Sequence, residues 1–227
     1  MREQLASLAA AVGKRNRDSP GSALNAVVFG THRFVREVES RDLRFALLPE
    51  VLRSRRGNCV GLGSLYLALA EQLGWKLEAV IVPGHFYVRM QEQGRLRNLE
   101  LLRRGESMPD SWYAQRFPIP GGHASEYARA LTAAEVVAVI EYDAGEELRR
   151  RGQLHEAQRA YDRARKHFPE LAEAHASHGA VAQLLGDLDQ ALADYQRAQR
   201  VNPHLPGVDQ NLALLRAERS GAGAALQ

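Results

Sequence analysis

Arg55-Arg56-Gly57-Asn58-Cys59-Val60-Gly61-Leu62-Gly63-Ser64-Leu65-Tyr66-Leu67-Ala68-Leu69-Ala70-Glu71-Gln72-Leu73-Gly74 holds the one cysteine of the 227-residue chain. Apolar residues at 62, 65, 66, 69 and 73 recur at helical spacing and Gly74 supplies a stop, so the run predicts a helix with Cys59 at or near its N-terminus. Unpaired amides and the positive end of the helix dipole favour a thiolate there, and the flanking glycines let backbone or substrate approach closely. A single cysteine excludes an internal disulfide and leaves two readings, a reactive thiol or an inert buried side chain.

Working outward, Leu77–Val82 reads as a strand, Pro83-Gly84 as a turn, and His85–Met90 as a second strand. A short turn at Gln91–Gly94 leads into Arg95–Leu101. If that hairpin closes about the middle of its turn, Glu100 falls directly across from His85, with Asn98 as the diagonal neighbour on the same face. The partner that orients the imidazole is therefore Glu100 first and Asn98 second. A nucleophile at a helix N-terminus, a base on a strand and a group that fixes the tautomer of that base are the parts acyl transfer through a thioester needs. Bland readings stand beside this one. His85 alone is a core histidine, Glu100 alone a surface charge, and Arg53, Arg55 and Arg56 a solvated helix end.

Leu48-Pro49-Glu50-Val51-Leu52, Arg56-Gly57-Asn58-Cys59, Leu65-Tyr66, Leu73-Gly74, Pro83-Gly84-His85-Phe86 and Asn98-Leu99-Glu100 together resemble bacterial transglutaminase-like proteins that carry C-terminal tetratricopeptide repeats. The resemblance covers about residues 22–215 and implies an α+β fold: a papain-like core in which a cysteine-bearing helix packs on a small antiparallel sheet. It assigns Cys59 as nucleophile and His85 as general base, with Glu100 standing where the wider superfamily usually has Asp. Relatives that have lost the cysteine make a non-catalytic interaction adaptor with a vestigial triad the alternative.

Downstream, an offset of 34 residues relates Gly145 to Gly179, Gly152 to Gly186, Ala157 to Ala191, Tyr161 to Tyr195, Ala164 to Ala198 and Pro169 to Pro203. Small residues for close helix contact, glycines that end the first helix and prolines that punctuate the second fit tandem helix pairs over residues 138–203. This segment resembles tetratricopeptide repeats, departing at His175 and His178, where that family prefers large apolar residues and where loose packing is expected. Leu131-Thr132-Ala133-Ala134-Glu135 offers a capping box that starts the first repeat helix, and Val208–Leu215 a terminal cap. The concave face is expected to be lined by Tyr142, Glu146, Arg149, Glu173, Ala176, Ala180 and Gln183 and to hold a protein or peptide. His175, His178 and His204 lack an acidic or thiol companion at metal-ligand spacing, so no metal is expected.

These readings divide the chain into an N-terminal helical extension (1–21), a transglutaminase-like domain (22–130), an all-α repeat module with its cap (131–219) and a disordered tail (220–227). Residues 103–125, rich in Pro and Gly, read as a linking loop whose Trp112, Tyr113 and Phe117 dock as anchors. The formal charge of +3 is scattered, which argues against nucleic acid as a partner. With no apolar run of about 18–20 residues and a polar start at Met1-Arg2-Glu3-Gln4, the expectation is a soluble, cytoplasmic chain without a membrane partner. No phosphate-binding loop, Walker-type segment or paired-carboxylate arrangement is present, and no cofactor is expected.

Overall fold

The computed structural model describes residues 1–15, 19–37, 42–122 and 124–221, which form two compact units, Met1–Pro118 with Tyr127–Thr132, and Ile119–Glu126 with everything from Ala133 onward. The tail, from residue 222, and parts of the polar break at 14–20 lie outside the described residues. The first unit is α+β. Helix α1 (Arg2–Gly13) buries Leu5, Leu8, Ala9 and Val12, the four residues at helical spacing. Helix α2 (Pro20–Asn25) starts with the Ser19 hydroxyl accepting the Ser22 amide at 3.3 Å and with Pro20 at its first position. The chain passes through a π-helical turn (Ala26–Thr31) to a short strand β1 (Val35–Arg36), then to α3 (Leu48–Ser54), β2 (Arg56–Gly57) and α4 (Cys59–Gln72). Strands β1 and β2 pair in parallel, Arg36 opposite Gly57.

A meander follows: β3 (Leu77–Val82), β4 (His85–Glu92), β5 (Arg95–Glu100) and β6 (Glu106–Met108), with β7 (Ala130–Leu131) closing the other edge in the order β6-β5-β4-β3-β7, every pair antiparallel. The turn between β4 and β5 is tighter than the four residues expected. Gln93 and Gly94 both have positive φ, +50° and +77°, so the strands join through two residues and β4 runs on to Glu92. The register therefore shifts by two: Val88 pairs with Leu99 and Arg89 with Asn98, and Glu100 is not directly across from His85. The expected loop at 103–125 is also corrected in part, because β6 and helix α5 (Asp110–Arg116) lie within it. Its anchors dock on the sheet: Tyr113 is buried with Val80, Val82 and Tyr87, flanked by Trp112 and Phe117. On the other face α4 approaches so closely that a Cβ on Gly63 would meet the Phe86 ring at 2.2 Å, and one on Gly61 the Phe45 carbonyl oxygen at 2.0 Å.

The second unit is helical among the described residues. α6 (Ala133–Arg150), α7 (Leu154–His167), α8 (Ala172–Leu184), α9 (Leu188–Val201) and α10 (Val208–Arg219) follow one another, with Gly152 and Gly186 in the left-handed region at the matching turns. Within each hairpin a glycine meets a tyrosine: Gly145 lies against Tyr161 and Gly179 against Tyr195. Val208, Leu212 and Leu215 of α10 cover Ala182, Ala191, Tyr195 and Ala198. Asn202 donates Nδ2–H to Glu126 at 2.9 Å, which ties the 119–126 segment to this unit. The loose packing expected at His175 and His178 does not occur. His178 is 2% exposed and bonds Asp194 through Nδ1 at 2.5 Å, while His175 reaches the Pro169 carbonyl at 3.0 Å. Polar pairing takes the place of the large apolar side chains, fully at His178 and at one nitrogen of His175, whose Nδ1 is buried without a hydrogen-bond partner among the described residues.

Candidate functional site

Cys59 is the first residue of α4, and its thiol is half-buried. The N-cap is Asn58, whose side-chain oxygen accepts the Gly61 amide at 2.9 Å. The Asn58 amide in turn donates to the Phe45 carbonyl at 3.0 Å, which fixes the entry of the chain into the helix. His85 is the first residue of β4, delivered by the Pro83-Gly84 turn with Gly84 at φ +68°. Its Nε2–H donates to Oε2 of Glu100 at 2.7 Å, and both side chains are nearly sealed from solvent, 4% and 1% exposed. The other carboxylate oxygen, Oε1, accepts the Leu102 amide at 2.9 Å. Glu100 is thus held from both sides, and Nε2 is committed, which leaves Nδ1 as the ring nitrogen open to a proton from the thiol.

The imidazole feels both neighbours. Burial pulls its pKa down, but hydrogen bonding to Cys59 and to Glu100, together with their negative charges, outweighs burial and raises it to about 9. An aromatic wall completes the pocket of the ring. Phe117 stacks on His85 at 4.4 Å with 6° between the planes, and Tyr113 stacks on Tyr87 at 3.9 Å. Burial first, then the adjacent Glu100 charge, raises the Tyr113 hydroxyl far above the ordinary tyrosine range.

Of the residues singled out from the sequence, the fold brings Cys59, His85 and Glu100 together and sets Asn98 apart. Asn98 Oδ1 accepts from Arg89 at 2.7 Å, while its Nδ2 donates to Asp110 at 2.7 Å and to the Met108 carbonyl at 3.2 Å. The arginines before Cys59 have other work: Arg53 pairs with Glu50, and Arg56 with Glu37 at 2.5 Å. In the helical unit, Glu146 accepts from Tyr161 at 2.6 Å, Ser177 at 2.8 Å and Arg149 at 2.9 Å. Gln183 bonds Tyr195 and Glu218, and Tyr142, Ala176 and Ala180 pack onto the apolar clusters between helices. Glu173, near the start of α8, is half-buried. Several of these side chains are engaged in joining helices, a use that periodicity alone does not separate from lining a groove. Phe117 and Tyr113 were legible as anchors from their place in a Pro- and Gly-rich stretch, but not as neighbours of His85 and Glu100.

Among the described residues no helix is long and apolar enough to cross a membrane. No curated protein matches the chain. Residues 1–140 match the family model of the transglutaminase-like superfamily, more than half of the 227 residues. On that match, with a cysteine at a helix N-terminus beside a histidine–glutamate pair, the chain belongs to the transglutaminase-like superfamily.

Proposed function

We propose that the protein is a cysteine-dependent acyltransferase or amide hydrolase in which Cys59 is the nucleophile, His85 the proton carrier and Glu100 the group that orients His85. The observation that carries this reading is the buried bond from His85 Nε2 to Glu100 at 2.7 Å beside a thiol that raises the imidazole. In the forward step the Cys59 sulfur bonds the carbonyl carbon of an amide, and the developing oxyanion is met by the Cys59 backbone amide at the helix N-terminus. His85 then gives the Nδ1 proton to the departing nitrogen as the C–N bond breaks and a thioester forms. Water or an amine attacks that thioester, loses its proton to His85 and releases the thiol. The longer side chain of Glu, in place of Asp, is accommodated because its second oxygen is tethered to the Leu102 amide.

The helical unit serves this chemistry as a tetratricopeptide-type module that holds a protein or peptide, a reading supported by the 34-residue offset and the paired glycine–tyrosine contacts. One observation favours the adaptor alternative: the His85 ring is 4% exposed and lies against Phe117, so an incoming carbonyl must find Nδ1 from the Cys59 side. A carbonyl-directed thiol probe followed by intact-mass measurement separates the two. The enzyme reading expects stoichiometric labelling of Cys59 that drops about 100-fold or more in His85→Ala, the scale of general acid–base assistance. Absent or His85-independent labelling would leave the adaptor.

A further inference from the structure

The first unit contains a cavity of about 430 Å3 lined by Phe29, Arg33, Phe34, Val35, Arg36 and Arg104. Its size falls in the range of small-molecule sites, about 300–1,000 Å3. The two phenyl rings are buried, 5% and 6% exposed, and three guanidiniums share the lining with them. Two of these are anchored by backbone: Arg36 Nη1 donates to the Leu102 carbonyl, and Arg104 Nη2 to the Phe29 carbonyl at 3.1 Å. A guanidinium carries five N–H donors and no acceptor, so one anchoring bond leaves most of the fork for a ligand. Arg33 is exposed on a left-handed backbone, φ +52°, and pairs with no acidic side chain among the described residues. Among the described residues, Glu37 pairs with Arg56 and Glu106 with Arg103.

Two backbone links connect this lining to the thiol site. Arg36 stands opposite Gly57, two residues before Cys59, across the parallel β1–β2 pair. Leu102, whose carbonyl anchors Arg36, gives its amide to Glu100. The same short segment thus holds an arginine of the cavity and the carboxylate that orients His85.

Resting on the thiol reading above, we infer that this cavity seats the anionic end, a carboxylate or a phosphate, of the molecule on which Cys59 acts. Planar guanidinium forks match the paired oxygens of both groups, and the apolar part next to the charge lies on Phe29 and Phe34. A neutral ligand would bring no charge to these guanidiniums and would compete for their free donors only with water.

Calorimetric titration of full-length Cys59→Ser with phenylacetate, phenyl phosphate and neutral phenylacetamide tests the cavity apart from the chemistry. At least one anion is expected to bind about tenfold or more tightly than the amide, and the two anion arms tell carboxylate from phosphate. Arg33→Gln, whose guanidinium anchors no backbone carbonyl, is expected to weaken that binding about tenfold with an unchanged melting temperature. In the wild type the bound anion is expected to slow iodoacetamide alkylation of Cys59 several-fold, an effect lost in Arg33→Gln. Equal binding of amide and anions, or anion binding indifferent to Arg33→Gln, overturns the inference and leaves the thiol reading standing. Anion binding that gives a reactive Cys59 no protection overturns the link to the thiol. Anion binding beside an inert Cys59 sinks the thiol reading, and this inference with it.

Discussion

At His85 two opposed effects meet: burial favours the neutral ring, and the bonds and charges of Cys59 and Glu100 favour the protonated one, with the pKa settling at about 9. An unfolded histidine titrates near about 6.5, so the folded chain holds a proton that the unfolded chain releases between these values. The stability this contributes is fully present below about 6.5 and is lost as pH rises through about 9. Glu100→Gln keeps the shape but removes the charge, so denaturant midpoints measured at pH 6 and about pH 9.5 are expected to fall less in the variant than in the wild type. Equal falls would show that Glu100 does not hold that proton. The pairing itself was legible in the sequence for a reason that survives a wrong register. Side chains alternate with period two, so a slip of two residues moves Glu100 along the strand but keeps it on the face of His85. Asn98 stays on that face as well. Its position opposite Arg89, however, gives it to Arg89 and Asp110 instead.

Helix α4 sets the distance between nucleophile and base. Its apolar spacing and glycine stop were readable, and so was the place of Cys59 at its start. Glycines at 61 and 63 signalled close approach without naming what approaches, because Phe45 and Phe86 are distant in sequence and only packing selects them. Gly63→Ala is expected to cost about 1–3 kcal/mol by overpacking against the Phe86 ring and to slow probe labelling of Cys59 by shifting the helix on β4. Trimming the ring with Phe86→Leu in the same chain restores part of both. Gly61→Ala meets the Phe45 backbone carbonyl, which cannot be trimmed, so no side-chain change at 45 rescues it. Urea midpoints and labelling rates of the three variants check this, and a Gly63→Ala chain as stable and reactive as wild type would contradict the role given to α4. The short β6 and α5 were not readable: Pro109 and the glycines punctuate that stretch as they would a loop, and only the buried Tyr113 against Val80, Val82 and Tyr87 makes an element of it.

At the scale of the whole molecule, the two units rest on different physics. The first is held by non-local strand pairing and a helix pressed onto a sheet, the second by neighbour-to-neighbour helix contacts repeated at an offset of 34 residues. That offset made the helical unit legible, while the polar pairing of His178 with Asp194 was not, since the partner lies on another helix. Equivalent positions need not be equally tolerant. A Cβ on Gly145 would lie 2.4 Å from the Tyr161 ring, whereas on Gly179 its nearest neighbours are at 3.1 Å. Gly145→Ala is therefore expected to destabilise the helical unit more than Gly179→Ala, by about 1 kcal/mol or more. Hydrogen exchange over α6–α9 reads the difference, and the reverse order would contradict the packing described.

The claim that Cys59, His85 and Glu100 act as one coupled site is tested most directly by following the His85 imidazole through a pH titration with nuclear magnetic resonance, in the wild type and in Cys59→Ala. The coupled site predicts a pKa of about 9 that moves down when the thiol is removed. A value near the ordinary one of about 6.5, unmoved by Cys59→Ala, would contradict it.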